Sequence, residues 1–263
     1  MRAAQEGRIR YHRRFASKFL STRRDLIVYL PPGYDESSKT RYPVLYLQDG
    51  QNLFDPETAF GGRDWQADLT ADRLVQQGSI PALIIVGIYN TGVRRISEYT
   101  PTRDPRSKKG GKAERYAQML AREIKPFIDT EYRTAKSAAC TGVGGSSLGA
   151  LTALQAGLSY PGVFGRLALL SPSVWWDSHA VLQIVGGFSS RSRPRPRIWL
   201  DIGTDEGSNP AKAVEDTRRL RAEFEKKGWR EGDNLCYQEF PGAGHNEYAW
   251  SQRFGLVLEY LFG

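Results

Sequence analysis

The stretch that decides the fold reads AACTGVGGSSLGA and runs from Ala138 to Ala150. It begins as a short apolar run, passes through a turn of glycine and serine, and continues into an Ala- and Leu-rich segment with helical character. Gly145–Gly149 is a G-x-S-x-G pentapeptide, the pattern of a sharp strand-to-helix turn that raises a serine above a sheet. Ser146 competes by proximity, but only Ser147 has glycine two positions before and after it. We therefore predict Ser147 as a nucleophile.

Around this turn, short apolar runs alternate with segments of helical period along the chain. Runs of this kind are typical of strands buried on both faces of a parallel sheet. The alternation predicts a mostly parallel, doubly wound α/β sheet with helices on both faces. The predicted strands are Leu26–Leu30, Pro43–Gln48, Leu83–Tyr89, Ser137–Val143, Leu167–Leu170, Arg197–Ile202 and Leu235–Phe240. The predicted helices are Gln66–Gln77, Glu114–Thr130, Leu148–Leu158, Ala211–Lys227 and Glu247–Leu261.

The length of the chain, 263 residues, is compatible with one large α/β domain. No linker-like stretch divides it, so we expect a single domain over residues 1–263, with the basic N-terminal residues 1–25 packing on it. Two long connections, Gln51–Arg63 and Asn90–Lys112, stand out. Ligand crevices of open α/β sheets lie where such loops converge, at the carboxyl ends of the strands.

Composition is that of a soluble globular protein, with 40% hydrophobic and 25% charged residues. No apolar run approaches the roughly 20 residues that span a bilayer. The basic N-terminus lacks an apolar segment of the signal-peptide type, which favours a cytoplasmic location unless a leader was removed. We expect no membrane partner, and the sequence leaves the oligomeric state open.

The net charge is +8, and its positive residues cluster in the N-terminal region, in Arg106–Lys112 and in Arg191–Arg197. The last two clusters lie among Ser, Gly and Pro, the composition of solvated loops, and none belongs to a nucleic-acid-binding motif. We therefore expect no nucleic-acid partner. Two cysteines, Cys140 and Cys236, and three scattered histidines give neither a disulfide framework nor metal-ligand spacing. No metal or other cofactor is expected.

A serine nucleophile of this kind needs a histidine base and a carboxylate, in the chain order serine, acid, histidine. Among the histidines only His245 has the right position, after the glycines of residues 242–244 and the last predicted strand. The acid should follow the strand Arg197–Ile202, where Asp205 and Glu206 are adjacent. The position in the turn favours Glu206, with Asp205 as the alternative.

The negative oxygen formed when a serine attacks a carbonyl must be met by fixed N–H donors. The amide of Leu148 is the first candidate, because it follows the nucleophile at the start of a helix. The second donor should come from the loop after the strand Pro43–Gln48. We expect the amide of Gln51 there, with that of Gly50 as the alternative.

Several segments resemble the "Putative esterase" family, the esterase D-like or enterochelin esterase-like α/β-hydrolases. They are Tyr29–Tyr34, Tyr42–Phe54, Arg95–Pro101, Glu123–Asp129, Gly144–Gly149, Ser171–Trp176 and Gly244–Glu247. The resemblance implies an α/β-hydrolase fold without a large cap domain and a triad that falls on Ser147, Glu206 and His245. One position departs from it, since Gln48 stands where several relatives carry histidine.

The resulting hypothesis is a serine carboxylic ester hydrolase that works through an acyl-enzyme on a small-molecule ester, of a short-acyl, aryl or sugar type. Trp175 and Trp176, after the strand Leu167–Leu170, are candidates for lining the substrate pocket. Alternatives are an acyltransferase that uses the same acyl-enzyme, a siderophore lactone hydrolase, and a binding protein that keeps the fold without catalysis. The complete set of serine, acid and histidine argues against the last.

Overall fold

The computed structural model describes residues 8–36, 39–189 and 194–263, and its centre is an eight-stranded sheet. The strands are β1 (Ile9–Phe15), β2 (Arg24–Tyr29), β3 (Val44–Gln48), β4 (Ile84–Ile88), β5 (Thr141–Ser146), β6 (Arg166–Leu170), β7 (Arg197–Gly203) and β8 (Leu235–Phe240). Their order across the sheet is β1-β2-β4-β3-β5-β6-β7-β8. β2 pairs antiparallel with both of its neighbours, whereas β4, β3 and β5 to β8 pair in parallel.

Helices cover both faces of this sheet. They are α1 (Ala67–Gln76), α2 (Arg95–Tyr99), α3 (Ala113–Met119), α4 (Lys125–Glu131), α5 (Leu148–Ser159), α6 (Ala180–Gly186), α7 (Pro210–Lys226) and α8 (Glu247–Phe262). A π-helical turn, Leu120–Ile124, joins α3 to α4, so the helix predicted over Glu114–Thr130 is present with a bulge inside it.

Alternate side chains of the central strands enter two separate apolar layers, as the two-residue period of a strand requires. In β3, Val44 and Tyr46 pack with the layer beneath α3 to α7, while Leu45 and Leu47 pack with the layer beneath α1 and α8. All five residues of β3 are buried. The structure thus confirms the predicted α/β-hydrolase architecture, a mostly parallel sheet with helices on both faces and no large cap domain.

β1 was not predicted from the sequence. It lies at the edge of the sheet, pairing Ile9 with Tyr29, and its burial pattern does not alternate regularly. Basic residues face solvent there, and Arg8 reaches across to Asp72 of α1 with hydrogen bonds of 2.8 and 2.5 Å. Part of the basic N-terminal segment is therefore a strand of the sheet. The single domain over residues 1–263 stays a prediction.

Two smaller differences concern the boundaries of elements and the charged loops. The strand predicted over Ser137–Val143 begins only at Thr141, because Ala138–Cys140 forms a 3₁₀ turn, and Cys140 is half-buried in that turn rather than in a strand. The loop predicted over Arg191–Arg197 falls partly on residues 190–193, which lie outside the described residues. Within the described ranges, no helix has the length and hydropathy to cross a membrane.

The carboxyl ends of the parallel strands meet along one edge of the sheet. Asp49 follows β3, Ser147 follows β5, Ser171 follows β6, Glu206 lies three residues after β7, and His245 lies five residues after β8. Five separate stretches of sequence therefore place polar side chains at the same edge, where ligand crevices of open α/β sheets are found.

Candidate active site

Ser147 occupies the sharp turn between β5 and α5, with φ 57° and ψ −123°. A side chain rarely adopts this backbone conformation, which lifts the hydroxyl out of the sheet. Neighbouring strands hold the turn, since the Ser147 amide donates to the Leu170 carbonyl at 3.0 Å. A Cβ on Gly145 or Gly149 would lie 3.0 to 3.1 Å from the side chain of Gln48 in β3. A side chain at either glycine would therefore crowd Gln48, and β3 would have to shift by a few tenths of an ångström to admit it.

Gln48 itself is buried beneath this turn. Its Oε1 accepts a 2.6 Å hydrogen bond from the Tyr116 hydroxyl, and its Nε2 has no partner among the described residues. The position where relatives carry histidine is therefore a packing position under the turn, on the sheet side of Ser147.

His245 brings an imidazole over the edge of the sheet to Ser147. Its Nε2 lies 2.9 Å from Ser147 Oγ, and its Nδ1 lies 2.7 Å from Glu206 Oε2. The ring packs edge-on against Trp250 of α8, with ring centroids 5.0 Å apart. The structure brings the predicted serine, histidine and glutamate together in one hydrogen-bonded chain.

Glu206, rather than Asp205, faces the histidine. Its carboxylate is buried, and Oε1 accepts hydrogen bonds from the Gly203 amide at 2.7 Å and the Ser171 hydroxyl at 2.5 Å. Burial alone would raise the pKa of Glu206, but the hydrogen bonds from His245 and Ser171 outweigh it and lower the pKa below its ordinary value. Asp205 is exposed in the turn, where its amide donates to the Ala243 carbonyl.

A buried polar network contacts Glu206 on the side of the carboxylate away from His245. Arg253 of α8 lies 3.1 Å from Asp201 Oδ1 and 3.6 Å from Glu206 Oε1, and it donates to Ser171 Oγ at 2.5 Å. The Trp250 indole also donates to Ser171 Oγ, at 2.9 Å. Burial raises the pKa of Asp201 to about 6, against the opposing effect of Arg253. None of these partners of Glu206 was foreseen from the sequence.

The loop after β3 is fixed by Arg95 of α2. The guanidinium donates to both carboxylate oxygens of Asp49, at 2.8 and 2.7 Å, and Asp49 itself has a positive φ of 57°. Gly50 packs so closely on β4 that a Cβ there would lie 2.5 Å from the Gly87 carbonyl carbon. Glycine is therefore required in this loop for a close approach of two backbones.

The predicted amide donors lie at the starts of two helices. Gly50 and Gln51 are the first two residues of a 3₁₀ helix, Gly50–Asn52, and Leu148 is the first residue of α5. Amides at these positions have no partner within their own helix. The assignment of Leu148 and Gln51 as oxyanion donors, with Gly50 as the alternative, stays a prediction.

Ser173 is a polar group beside the nucleophile that the sequence did not single out. Its hydroxyl lies 3.1 Å from Ser147 Oγ, and its amide donates to the Ser147 carbonyl at 3.2 Å. Ser173 is buried, and both serines line the cleft described below. The sequence could have indicated this residue, because the run Ser171–Ser173 directly follows β6 at the carboxyl ends of the parallel strands.

A cleft of about 460 Å³ opens beside Ser147 and His245. Trp175 lies in its wall and is 60% exposed. Trp176, the second predicted pocket residue, is instead buried, and its indole donates to the Thr102 carbonyl at 3.2 Å. The prediction for Trp176 is corrected accordingly, because its side chain packs against the long loop that precedes α3 and does not line the cleft.

The sheet, the sharp serine turn and the histidine after the last strand define an α/β-hydrolase. The model of the "Putative esterase" family matches residues 17–259, and the chain belongs to that family. It is a carboxylic ester hydrolase.

Curated relatives extend over most of the chain. The Uncharacterized protein YbbA of Bacillus subtilis (strain 168) is 28% identical over 91% of this chain and 93% of its own length. The Uncharacterized protein YjcH of the same organism is 32% identical over 82% of this chain and 83% of its own length. A shorter match, the Iron(III) enterobactin esterase of Dickeya dadantii (strain 3937), is 37% identical over 52% of this chain and 31% of its own length.

The fold is shared with a solved structure. An IroE-like serine hydrolase from Shewanella oneidensis superposes with a TM-score of 0.75 at 24% identity, covering 96% of this chain and 79% of the other. At this level of identity the similarity concerns the fold.

Proposed function

We propose that the chain hydrolyses carboxylic esters through a covalent acyl-enzyme at Ser147. His245 Nε2 takes the proton of Ser147 Oγ as the oxygen attacks the ester carbonyl carbon. Glu206 accepts a hydrogen bond from Nδ1 and stabilises the imidazolium that forms. His245 then gives the proton to the departing alcohol, and the acyl group remains on Ser147.

The second half of the reaction uses the same groups. A water molecule gives a proton to His245 and attacks the acyl carbon, and Ser147 Oγ leaves with that proton as the carboxylic acid is released. In both halves the amides of Leu148 and Gln51 meet the negative carbonyl oxygen. The α5 dipole adds to this stabilisation because Leu148 is at the helix N-terminus.

One observation carries the proposal, namely the continuous chain of hydrogen bonds Glu206–His245–Ser147, at 2.7 and 2.9 Å. A buried carboxylate with a lowered pKa keeps its negative charge, as the orienting acid of such a triad must. The positive φ of Ser147 gives independent support, since strain of this kind is typical of a nucleophile turn.

Two observations support short-acyl, aryl or sugar esters as substrates. The cleft at Ser147 is of moderate volume, about 460 Å³, and Trp175 offers a flat exposed face in it. Flat apolar faces suit stacking on rings of either type. One relative is named an Iron(III) enterobactin esterase, which keeps siderophore lactones among the candidates. Acyl transfer to an alcohol remains the alternative outcome of the same acyl-enzyme.

The decisive experiment compares Ser147→Ala with Ser146→Ala on p-nitrophenyl acetate. We expect Ser147→Ala to lower kcat by at least about a thousandfold and Ser146→Ala to leave it within severalfold of the wild type. Mass spectrometry after rapid quenching should find one acetyl group on the peptide containing Ser147. Full activity of Ser147→Ala, or an acetyl group on another residue, would contradict the proposal.

Product analysis separates hydrolysis from acyl transfer. With glycerol or a sugar added as acceptor, free acid should remain the main product at low acceptor concentration. Dominant formation of a new ester under those conditions would favour the acyltransferase.

A further inference from the structure

Exposed aromatic side chains concentrate around His245. Four aromatic residues are exposed among the described residues, namely Tyr11, Phe60, Trp175 and Tyr248. Trp175 lines the cleft at Ser147, and Phe60 and Tyr248 line a second cleft that also touches His245. Large exposed apolar surfaces are uncommon on soluble proteins and mark binding sites when they cluster. Trp175, Phe60 and Tyr248 therefore indicate that ligands contact the protein on both sides of His245.

The second cleft, which we call the Phe60 cleft, has a volume of about 530 Å³. Phe60 and Arg63 come from the loop before α1, and Tyr248 comes from the first turn of α8. The Arg63 guanidinium lies 5.3 Å from the Tyr248 ring centroid. Arg63 forms no ion pair with any described residue. The cleft thus combines two flat rings with the positive charge of Arg63, and the half-buried Glu247, whose Oε1 accepts the hydrogen bond from Asn52, also lines it.

Its two walls are joined by hydrogen bonds. The Phe60 amide donates to Asn52 Oδ1 at 3.0 Å, and Asn52 Nδ2 donates to Glu247 Oε1 at 2.9 Å. Asn52 is buried, so it connects the loop to the start of α8 from beneath the cleft. These hydrogen bonds hold the loop that carries Phe60 in a fixed position relative to the helix turn that carries Tyr248.

The two clefts differ in their relation to the reacting atoms. The cleft with Trp175 contacts both Ser147 and His245, whereas the Phe60 cleft contacts His245 without Ser147. The acyl group becomes bonded to Ser147 and must lie beside it. The oxygen of the departing alcohol receives its proton from His245, and the rest of the alcohol can extend past His245 away from Ser147. The geometry therefore separates an acyl side from an alcohol side.

We infer that the Phe60 cleft binds the alcohol part of the ester and is built for an aryl alcohol that carries a negatively charged substituent. This inference rests on the proposed acyl-enzyme mechanism. Phe60 and Tyr248 stack on the aryl ring, and Arg63 binds the anionic group. In the reaction the bond between the carbonyl carbon and the aryl oxygen breaks, and that oxygen takes the proton from His245 Nε2.

The test uses three esters that share the acetyl group, namely 4-acetoxybenzoate, phenyl acetate and ethyl acetate. Arg63→Gln should lower kcat/KM for 4-acetoxybenzoate roughly tenfold, the effect of one charge-assisted contact, and change phenyl acetate less than about twofold. Phe60→Ala should lower kcat/KM for both aryl esters severalfold and spare ethyl acetate. Since all three esters form the same acetyl-enzyme, the rate of deacylation should be unchanged in both variants.

Matched controls are available on the exposed surface. Arg106→Gln and Tyr11→Ala remove the same chemical groups away from the site and should leave all three esters unaffected. Equal effects of Arg63→Gln on the charged and neutral aryl esters, or a changed deacylation rate, would overturn the inference. If no acetyl group forms on Ser147, the proposed mechanism itself fails, and the two failures are thereby distinguished.

Discussion

The Ser171 hydroxyl donates a 2.5 Å hydrogen bond to Glu206 Oε1, the carboxylate oxygen that faces away from His245. Both oxygens of this buried carboxylate are thus engaged, one by the histidine and one by the sheet edge after β6. A carboxylate held at both ends has little freedom to rotate. Its orientation toward the imidazole is set before substrate arrives, which is a requirement for efficient general base catalysis.

The acid assignment predicts a sharp difference between two adjacent residues. Glu206→Gln keeps the shape of the side chain but removes the charge that stabilises the imidazolium, so kcat should fall by roughly 10³- to 10⁴-fold. Asp205→Asn, in an exposed turn, should change kcat less than about threefold. Steady-state kinetics on p-nitrophenyl acetate checks this, and the opposite ranking would transfer the role to Asp205.

Activity should decline on the acid side of its pH profile. Protonated imidazole cannot accept the Ser147 proton, so kcat/KM should fall about tenfold for each pH unit once His245 is charged. Glu206 does not cause this decline. Its pKa is lowered in the folded protein, and a lowered carboxyl pKa means that ionisation is lost only as the pH falls through that low value. A kcat/KM that shows no decline at any acid pH at which circular dichroism finds the protein folded would contradict His245 as the base.

Arg253 should be important for stability as well as activity. Arg253→Met leaves the buried carboxylates of Asp201 and Glu206 without a positive partner, which should lower the free energy of unfolding by about 3–5 kcal/mol. Urea denaturation measures the loss. Adding Asp201→Asn removes one of the two uncompensated charges and should restore part of the stability. A double variant no more stable than the single one would show that the charges are not the cause.

Arg95 should act on catalysis through the loop after β3. Its paired hydrogen bonds to Asp49 hold the segment that carries the amides of Gly50 and Gln51. Arg95→Lys keeps the charge but not the two-pronged geometry, so we expect kcat to fall about tenfold with KM little changed. The neighbouring Arg94→Gln provides the control. A fall through KM alone would indicate a role in substrate binding.

The parts of the fold that the sequence predicts are those governed by local pattern. The apolar runs of β3 and β4 are buried on both faces, so they stand out without knowledge of their neighbours. β1 does not, because it is an edge strand whose outward residues are basic, and its place depends on pairing with β2. The 3₁₀ turn at Ala138–Cys140 also involves a residue distant in sequence, since the Ala138 carbonyl accepts a hydrogen bond from the Gly165 amide at 3.0 Å.

The same distinction holds in the site. Ser147, Glu206 and His245 were predicted from turn chemistry and chain order, and the structure brings them within hydrogen-bonding distance. The sequence singled out the Gln51–Arg63 loop as a possible border of a ligand crevice, but it gave no sign of the contact with α8, where Asn52 donates to Glu247 across 195 residues of sequence. Trp175 and Trp176 are adjacent in sequence, yet one faces solvent and the other the core. Only the packing around them decides which one lines the cleft.

The unusual backbone of Ser147 has a consequence for evolution. A conformation of this type costs about 1–3 kcal/mol in a residue other than glycine. Replacement by glycine relieves that strain, so a Ser147→Gly chain should unfold at a higher temperature than the active enzyme while hydrolysing nothing. Selection for thermal stability alone would therefore favour the replacement of Ser147 by glycine. The serine is expected to persist at this turn only while the esterase reaction itself is under selection.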